Sequence, residues 1–307
     1  MSSPIEETIV DLGNSDKPLL SSRLVDLSNL NSEEVGFFKQ VWATIEPKRR
    51  RQIIHRLVEL AEDNFELNFD TIFWSCLKEQ DAEVRSKAIE GLWENEEASL
   101  IDPLISLLEH DSSKKVQAAA AIGLGKFAML AELKKLRSCH TSKVCHALLT
   151  VISNKSKPIE VRRRALEAAA PLSLPQVKKA IIEAHQSHNS KLKVSAIYAM
   201  GKNCHRSWLP ILLKELANTD AEIRYEAAGA CGELGEEEAV PYLIELINDP
   251  DVDAQLAAIQ ALGKIGGSEA KGFLQQCLNN PSEVIQRQAE QSLYELEVEE
   301  KPFTFRV

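Results

Sequence analysis

The sequence repeats itself at a near-constant interval. Stepping both ways from Ile223 lands on Ile53, Val84, Val116, Val161, Leu192, Ala254 and Ile285, at intervals of 31, 32, 45, 31, 31, 31 and 31 residues. Four residues after the last seven anchors stand Ala88, Ala120, Ala165, Ala196, Ala227, Ala258 and Ala289. A fixed period with a small residue at a fixed offset is the mark of a stacked array, whose units bury their apolar faces only against neighbours. The template runs from Asp220 to Asp251. Ile223, Ala227 and Cys231 share one face, a Gly-bearing turn follows, and a second stripe passes through Val240, Leu243, Ile244, Leu246 and Ile247. Both stripes have helical spacing, so the unit is a helical hairpin. The expected fold class is all-α, a right-handed α–α superhelix of about eight helical hairpins.

The period also sets the expected boundaries. Residues 1–31, polar and broken by Gly13 and Pro18, read as a mobile N-terminal tail with one apolar element, LLSSRLVDLSNL, suited to docking on the first helices. The array spans 32–297. Its N-terminal cap pair, 32–65, has Ser32 as N-cap with Glu33 and Glu34 in the first turn, where the helix dipole favours anions. Leu57 stands there in place of the repeated alanine, as terminal repeats commonly deviate. Pro103, Pro210 and Pro241 each precede an anchor by 13 residues and open the first helix of a pair, where proline loses no hydrogen bond. Three residues before the anchors stand Asp81, Ser113, Asn189, Asp220, Asp251 and Ser282, N-capping types that start the second helices. The 45-residue interval holds an insertion at about 126–143, expected to extend or add a helix and then form a polar edge loop. Residues 298–307 are a C-terminal tail, expected to dock Phe303 and Phe305.

Charge is unevenly spread. The net formal charge is −10, yet residues 112–215 carry a balance of +14 between arms 57–111 and 216–307 of −12 each. No apolar run approaches the ~20 residues that span a bilayer. The acidic N-terminus lacks the layout of a secretory signal. The six cysteines therefore read as reduced thiols, and the expected location is cytoplasmic.

The phrases DAEVRSKAIEGLW, PIEVRRRALEAAA, DAEIRYEAAGACGELG and DVDAQLAAIQALGKIG resemble HEAT repeats, of the short kind found in bilin-lyase-like (PBS lyase type) bacterial proteins. The resemblance covers about 32–297 and implies a HEAT-like solenoid, mostly a binding scaffold, with a few enzymes on the same frame. It also implies a ladder of Asp before the second helix and Arg after the anchor, matched fully by Asp81/Arg85 and Asp220/Arg224. Arg162 and Lys193 keep the cation; Gln117, Gln255 and Gln286 do not. The deoxyhypusine-hydroxylase-like branch carries paired His-Glu dipeptides for two irons, and no His-Glu dipeptide occurs here.

Candidate sites lie where the period is broken. Offsets +2, +3 and +6 from each anchor should face outward, into the concave side of a HEAT-like stack. Ile122, Val194, Tyr198, Tyr225 and Leu256 fall there although a surface should be polar, and Arg163 and Arg164 flank them. Contiguous apolar area with Tyr suggests a binding groove, and Arg can clamp acidic groups. Cys139, His140, Cys145, His146, Cys204 and His205 are metal-ligand types, but their spacing is not that of a common zinc site and loop residues are the plainer reading. The basic run Lys48, Arg49, Arg50, Arg51 reads as a solvated helix face, with docking of an acidic partner segment as the alternative. The function expected is a non-catalytic scaffold for a protein partner, without cofactor, catalytic residue or membrane contact. The alternatives are a bilin-lyase-like enzyme or cofactor-maturation chaperone, and nucleic-acid binding through 112–215. Basic residues spread over several faces argue against the last.

Overall fold

The computed structural model describes residues 4–300, with side chains to 298. No strand occurs among them, and the chain forms two units, residues 1–168 and 169–307. Each is a row of helical hairpins in which the second helices stand side by side.

In the first unit, α1 (Pro4–Gly13) and α2 (Ser21–Val25) occupy the segment whose sequence reads as a tail. Thr8, Ile9 and Leu12 are buried where α1 meets α3 (Ser32–Trp42) and α4 (Pro47–Asp63). Leu24, Leu27 and Leu30 are buried as well. Arg49 fixes this segment: its Nε donates to the Leu12 carbonyl at 2.8 Å and its Nη2 to that of Lys17 at 3.1 Å. Arg50 pairs with Glu79 at 2.9 Å and Arg51 with Asp81 at 2.7 Å. Three cations of the basic run thus join parts of this chain, which corrects the solvated-face expectation. The cap of α3 is Asn31, not Ser32. Its Oδ1 accepts from the N–H groups of Glu33 and Glu34, while Glu34 accepts from the Asn31 N–H, a capping box.

Hairpins then follow on period: α5 (Asp70–Cys76) with α6 (Ala82–Gly91), α7 (Ile101–His110) with α8 (Lys114–Glu132), and α9 (Ser138–Ser153) with α10 (Ile159–Ala169). The inserted residues lengthen α8 and α9 to 19 and 16 residues rather than opening an edge loop. The second unit contains α11 (Pro175–His185), α12 (Ser190–Asn203), α13 (Leu209–Glu215) and α14 (Ala221–Leu234). It continues with α15 (Val240–Leu246), α16 (Val252–Ile265), α17 (Gly267–Cys277) and α18 (Glu283–Glu300). The expected docking of Phe303 and Phe305 lies outside the described residues.

All eight anchors and all seven offset alanines are buried. Asp81, Asn189, Asp220 and Asp251 accept backbone N–H bonds as N-caps, whereas the Ser113 side chain makes none. The expected Asp/Arg ladder is wired differently. Arg85 grips Asp111 through two bonds of 2.8 Å, and Arg224 grips Asp249 through bonds of 2.6 and 2.7 Å. Each cation therefore reaches the turn of the following repeat, and Asp81 and Asp220 serve as caps. The Arg224 guanidinium holds the Asp249 carboxyl below its ordinary range. Gln117, Gln255 and Gln286 donate to the carbonyls of Asp111, Asp249 and Asn280, so the neutral rungs still bond within their turns.

The second helices of the second unit approach to backbone contact. A Cβ at Gly201 would lie 2.8 Å from Ala230 Cα, one at Gly232 2.9 Å from Ala261 Cα, and one at Gly263 2.7 Å from Ser292 Cβ. These glycines follow their anchors by nine residues, and the residues they meet follow by seven. Gly229, on the same helix as Gly232, has nothing within 4 Å of a built Cβ. Two substitutions on α14 should therefore act in opposite directions. We expect Gly232→Ala to destabilise by about 1–3 kcal/mol through overpacking. Gly229→Ala should stabilise by about 0.5–1 kcal/mol through helix propensity. Urea unfolding of the two variants checks this; shifts of the same sign would contradict the assigned contact.

Candidate partner-binding surfaces

The outward offsets are not equivalent. At +6, Glu90, Ile122, Tyr198, Gln260 and Gln291 are exposed, while at +3 Ser195 and Ala257 are buried against neighbours. The +6 position and its continuation one turn later, +10, hence form the outward face of each second helix, joined on α14 by the exposed Tyr225 at +2.

In the second unit, Tyr198 on α12 and Tyr225 on α14 are 38% and 46% exposed and share a groove of about 340 Å³. Lys202, Glu226, Gly229, Glu233, Gln260 and Lys264 also line it. Glu233 is its electrostatic centre, accepting from Lys202 at 3.0 Å and from Lys264 at 2.7 Å, which ties α12, α14 and α16 together. Burial raises the Glu233 pKa, but the two ammonium bonds outweigh it and hold the carboxyl below its ordinary range. The Lys202 ammonium also sits 5.9 Å from the centre of the Tyr198 ring, a cation–π contact that steadies the ring. Val194 and Leu256 are half-buried and are not among the residues lining this groove.

In the first unit, Ile122 on α8 is 56% exposed and lines a separate apolar pocket with Trp93 and Lys126. Arg163 and Arg164 are engaged within α10: Arg163 bonds Glu160 at 2.6 Å and Glu167 at 3.2 Å, and Arg164 bonds the same two carboxylates at 3.2 and 2.8 Å. Lys126, Lys202, Glu233 and Lys264 were not singled out from the sequence. All four occupy +10, which the one-turn extension of +6 would have reached.

The Cys and His candidates stand apart from these surfaces. Cys139, His140, Cys145 and His146 lie on α9, with Cys139 and His146 exposed. Cys204 ends α12 in the left-handed conformation at φ 50°, and its Sγ donates to the Gly201 carbonyl at 3.2 Å. His205 Nδ1 accepts from the Ser207 N–H at 3.2 Å and starts the following 3₁₀ turn. Burial pushes the Cys145 and Cys204 thiols up, away from the thiolate that a metal requires. Among the described residues no group of three or more His, Cys, Asp or Glu is placed to hold a metal ion. No helix among them is long and apolar enough to cross a membrane.

The sequence profile described as HEAT repeats matches residues 70–144 and 209–294. No curated protein matches the chain. Among solved structures, the complex of CpcE and CpcF of phycocyanin lyase from Nostoc sp. PCC7120 is similar over 92% of this chain and 97% of that one, at 15% identity and a TM-score of 0.55. The Escherichia coli protein YibA is 16% identical, covering 77% of this chain and 96% of its own, with a TM-score of 0.48. Human deoxyhypusine hydroxylase in complex with glycerol is 17% identical over 95% and 97% of the two chains, with a TM-score of 0.37. At such identities the likeness to the lyase subunits is one of fold.

The bridge at Glu233 gives a signed pH dependence. Its folded pKa lies below the unfolded value of about 4.3. Its contribution is therefore full above that value and is lost as pH falls through the folded pKa. We expect thermal stability to fall more steeply between about pH 5 and pH 3 in the wild type than in Glu233→Gln. Equal slopes in circular-dichroism melts would show that the bridge carries no stability.

Proposed function

We propose that this chain, which belongs to the HEAT-repeat family, is a non-catalytic scaffold that holds a partner protein on the outward face of its second helices. The observation that carries the reading is the pair Tyr198 and Tyr225. These large amphipathic rings occupy adjacent helices at positions where the repeat calls only for solvent-facing polar residues, and the Lys202–Glu233–Lys264 network lines the same groove, with Lys202 against the Tyr198 ring. Tyr brings large contact area at low entropic cost and is enriched in interface cores. Preorganised helices lower the ordering cost of binding, so affinity needs no chemistry from the scaffold.

Charge supports the same reading over nucleic-acid binding. Many cations of 112–215 are matched by carboxylates of this chain: Lys115 by Glu83, Lys143 by Asp102, Lys193 by Glu215, and Arg206 by Glu236 and Glu238. Phosphate backbones are bound by cations that gain by exchanging counterions, and these cations would first have to leave their partners.

The test is affinity purification from the native host with wild type and with Tyr198→Ala/Tyr225→Ala. Loss of a central aromatic pair should weaken the principal protein partner by tens of fold or more, with an unchanged melting temperature. Unchanged capture would contradict the groove. Capture that depends on nucleic acid, or transfer of a chromophore to a bound client, would favour the alternative functions.

A further inference from the structure

The first unit carries a second exposed row that the repeat does not require. Ile122 and Met129 on α8 and Leu133, the residue that ends it, stand at i, i+7 and i+11, the spacing of one helix face, and all three are exposed. Lys126, at i+4, completes the row with its stem only. Its ammonium donates to the carbonyls of Leu92 at 2.5 Å and Trp93 at 3.2 Å, where α6 ends. Burial lowers its pKa to about 8, which leaves the ammonium charged at neutral pH, and that charge is engaged by the two carbonyls at the end of α6. Trp93, 55% exposed, stands beside Ile122 over a pocket of about 340 Å³ floored by Ile89, Ala119 and Gly123. At 1.5 Å per residue the row extends roughly 16 Å, three turns of a partner helix.

The flanks of the row differ in charge. On the α6 side Glu94, Glu96 and Glu97 are exposed around Trp93, and Glu90, paired with Lys87, lines the pocket. On the α10 side Arg163 and Arg164 are cancelled by Glu160 and Glu167. The cations Lys134, Lys135 and Arg137 lie past Leu133, at one end of the row rather than along it. The unbalanced flank is therefore acidic.

We propose that the α8 row and Trp93 dock an amphipathic helix of a partner protein whose apolar face is bordered on one side by Lys or Arg. The apolar positions of such a helix, at i, i+4, i+7 and i+11, match the spacing of the row. Its basic border meets the glutamates around Trp93, which selects orientation and partner more than it adds affinity. The proposal rests on the reading of the chain as a protein-holding scaffold, but it uses a surface in the other unit.

The probe is a synthetic 18-residue helix with Leu at those positions and Lys along one border, titrated into the full chain by calorimetry. A second peptide carries Glu in place of Lys. We expect the Lys peptide to bind at least tenfold tighter than the Glu peptide in low salt, with the difference shrinking as salt is added. Ile122→Asp should lose at least tenfold in affinity at an unchanged melting temperature, while Tyr198→Ala/Tyr225→Ala should bind as wild type does. Equal affinity for the two peptides, indifference to Ile122→Asp, or loss through the tyrosine variant would overturn the proposal. Dimers in sedimentation that Ile122→Asp dissolves would also overturn it, assigning the row to a second copy of this chain. Host-partner capture that survives the tyrosine variant while the peptide results hold would sink only the tyrosine groove.

Discussion

Backbone contact between successive second helices is the constraint on which the outward face depends. Gly201 against Ala230, Gly232 against Ala261 and Gly263 against Ser292 leave no room for a single carbon atom. Helices held this closely cannot slide without clash, because packed interiors have few voids to absorb a shift. Side chains at +6 and +10 on adjacent helices are thereby brought into reach of one another. At that spacing Lys202, Glu233 and Lys264 form one bridge across three helices. In the first unit a Cβ at the equivalent glycine, Gly125, would lie an ordinary 3.4 Å from Ala168 Cα, a looser version of the same contact.

Charge plays two separate roles in the chain. Buried or half-buried ions join repeats: Arg85 to Asp111, Arg224 to Asp249, and Lys193 to Glu215, which is also hydrogen-bonded to His185. These are well-paired, multiply bonded groups whose loss would leave a buried charge unmatched. The exposed ions instead set what the surface can receive. Glu94, Glu96 and Glu97 beside Trp93 and the balanced Arg/Glu quartet of α10 give the two edges of the α8 row different characters.

The anchors and alanines were legible because burial demands the same small or branched apolar residue at every recurrence. The glycine contacts recur at the same period, at 201, 232 and 263, but a glycine in a helix pattern reads as a cost until the neighbouring helix is in view. Asp81 and Asp220 were legible as caps, yet the carboxylates gripped by Arg85 and Arg224 were not, since Asp111 and Asp249 lie some 25 residues further on. The first 31 residues read as a tail because Gly13 and Pro18 interrupt the period. The buried guanidinium of Arg49, which collects the carbonyls freed where α1 ends, supplies an anchor that no local pattern encodes. Tyr198, Tyr225 and Ile122 were visible as departures from polarity. Trp93 and the +10 residues were missed because the outward face continues one turn beyond the offsets considered.

A double-mutant cycle at Gly263 and Ser292 tests the spacing most directly. A Cβ at Gly263 would meet Ser292 Cβ at 2.7 Å but Ser292 Cα at 3.3 Å, so removing the serine side chain opens the space. Gly263→Ala alone should destabilise, and Ser292→Gly in that background should recover at least ~1 kcal/mol relative to its effect in the wild type. Additive free energies in urea unfolding would contradict the claim that helix contact at these residues sets the spacing of the second helices.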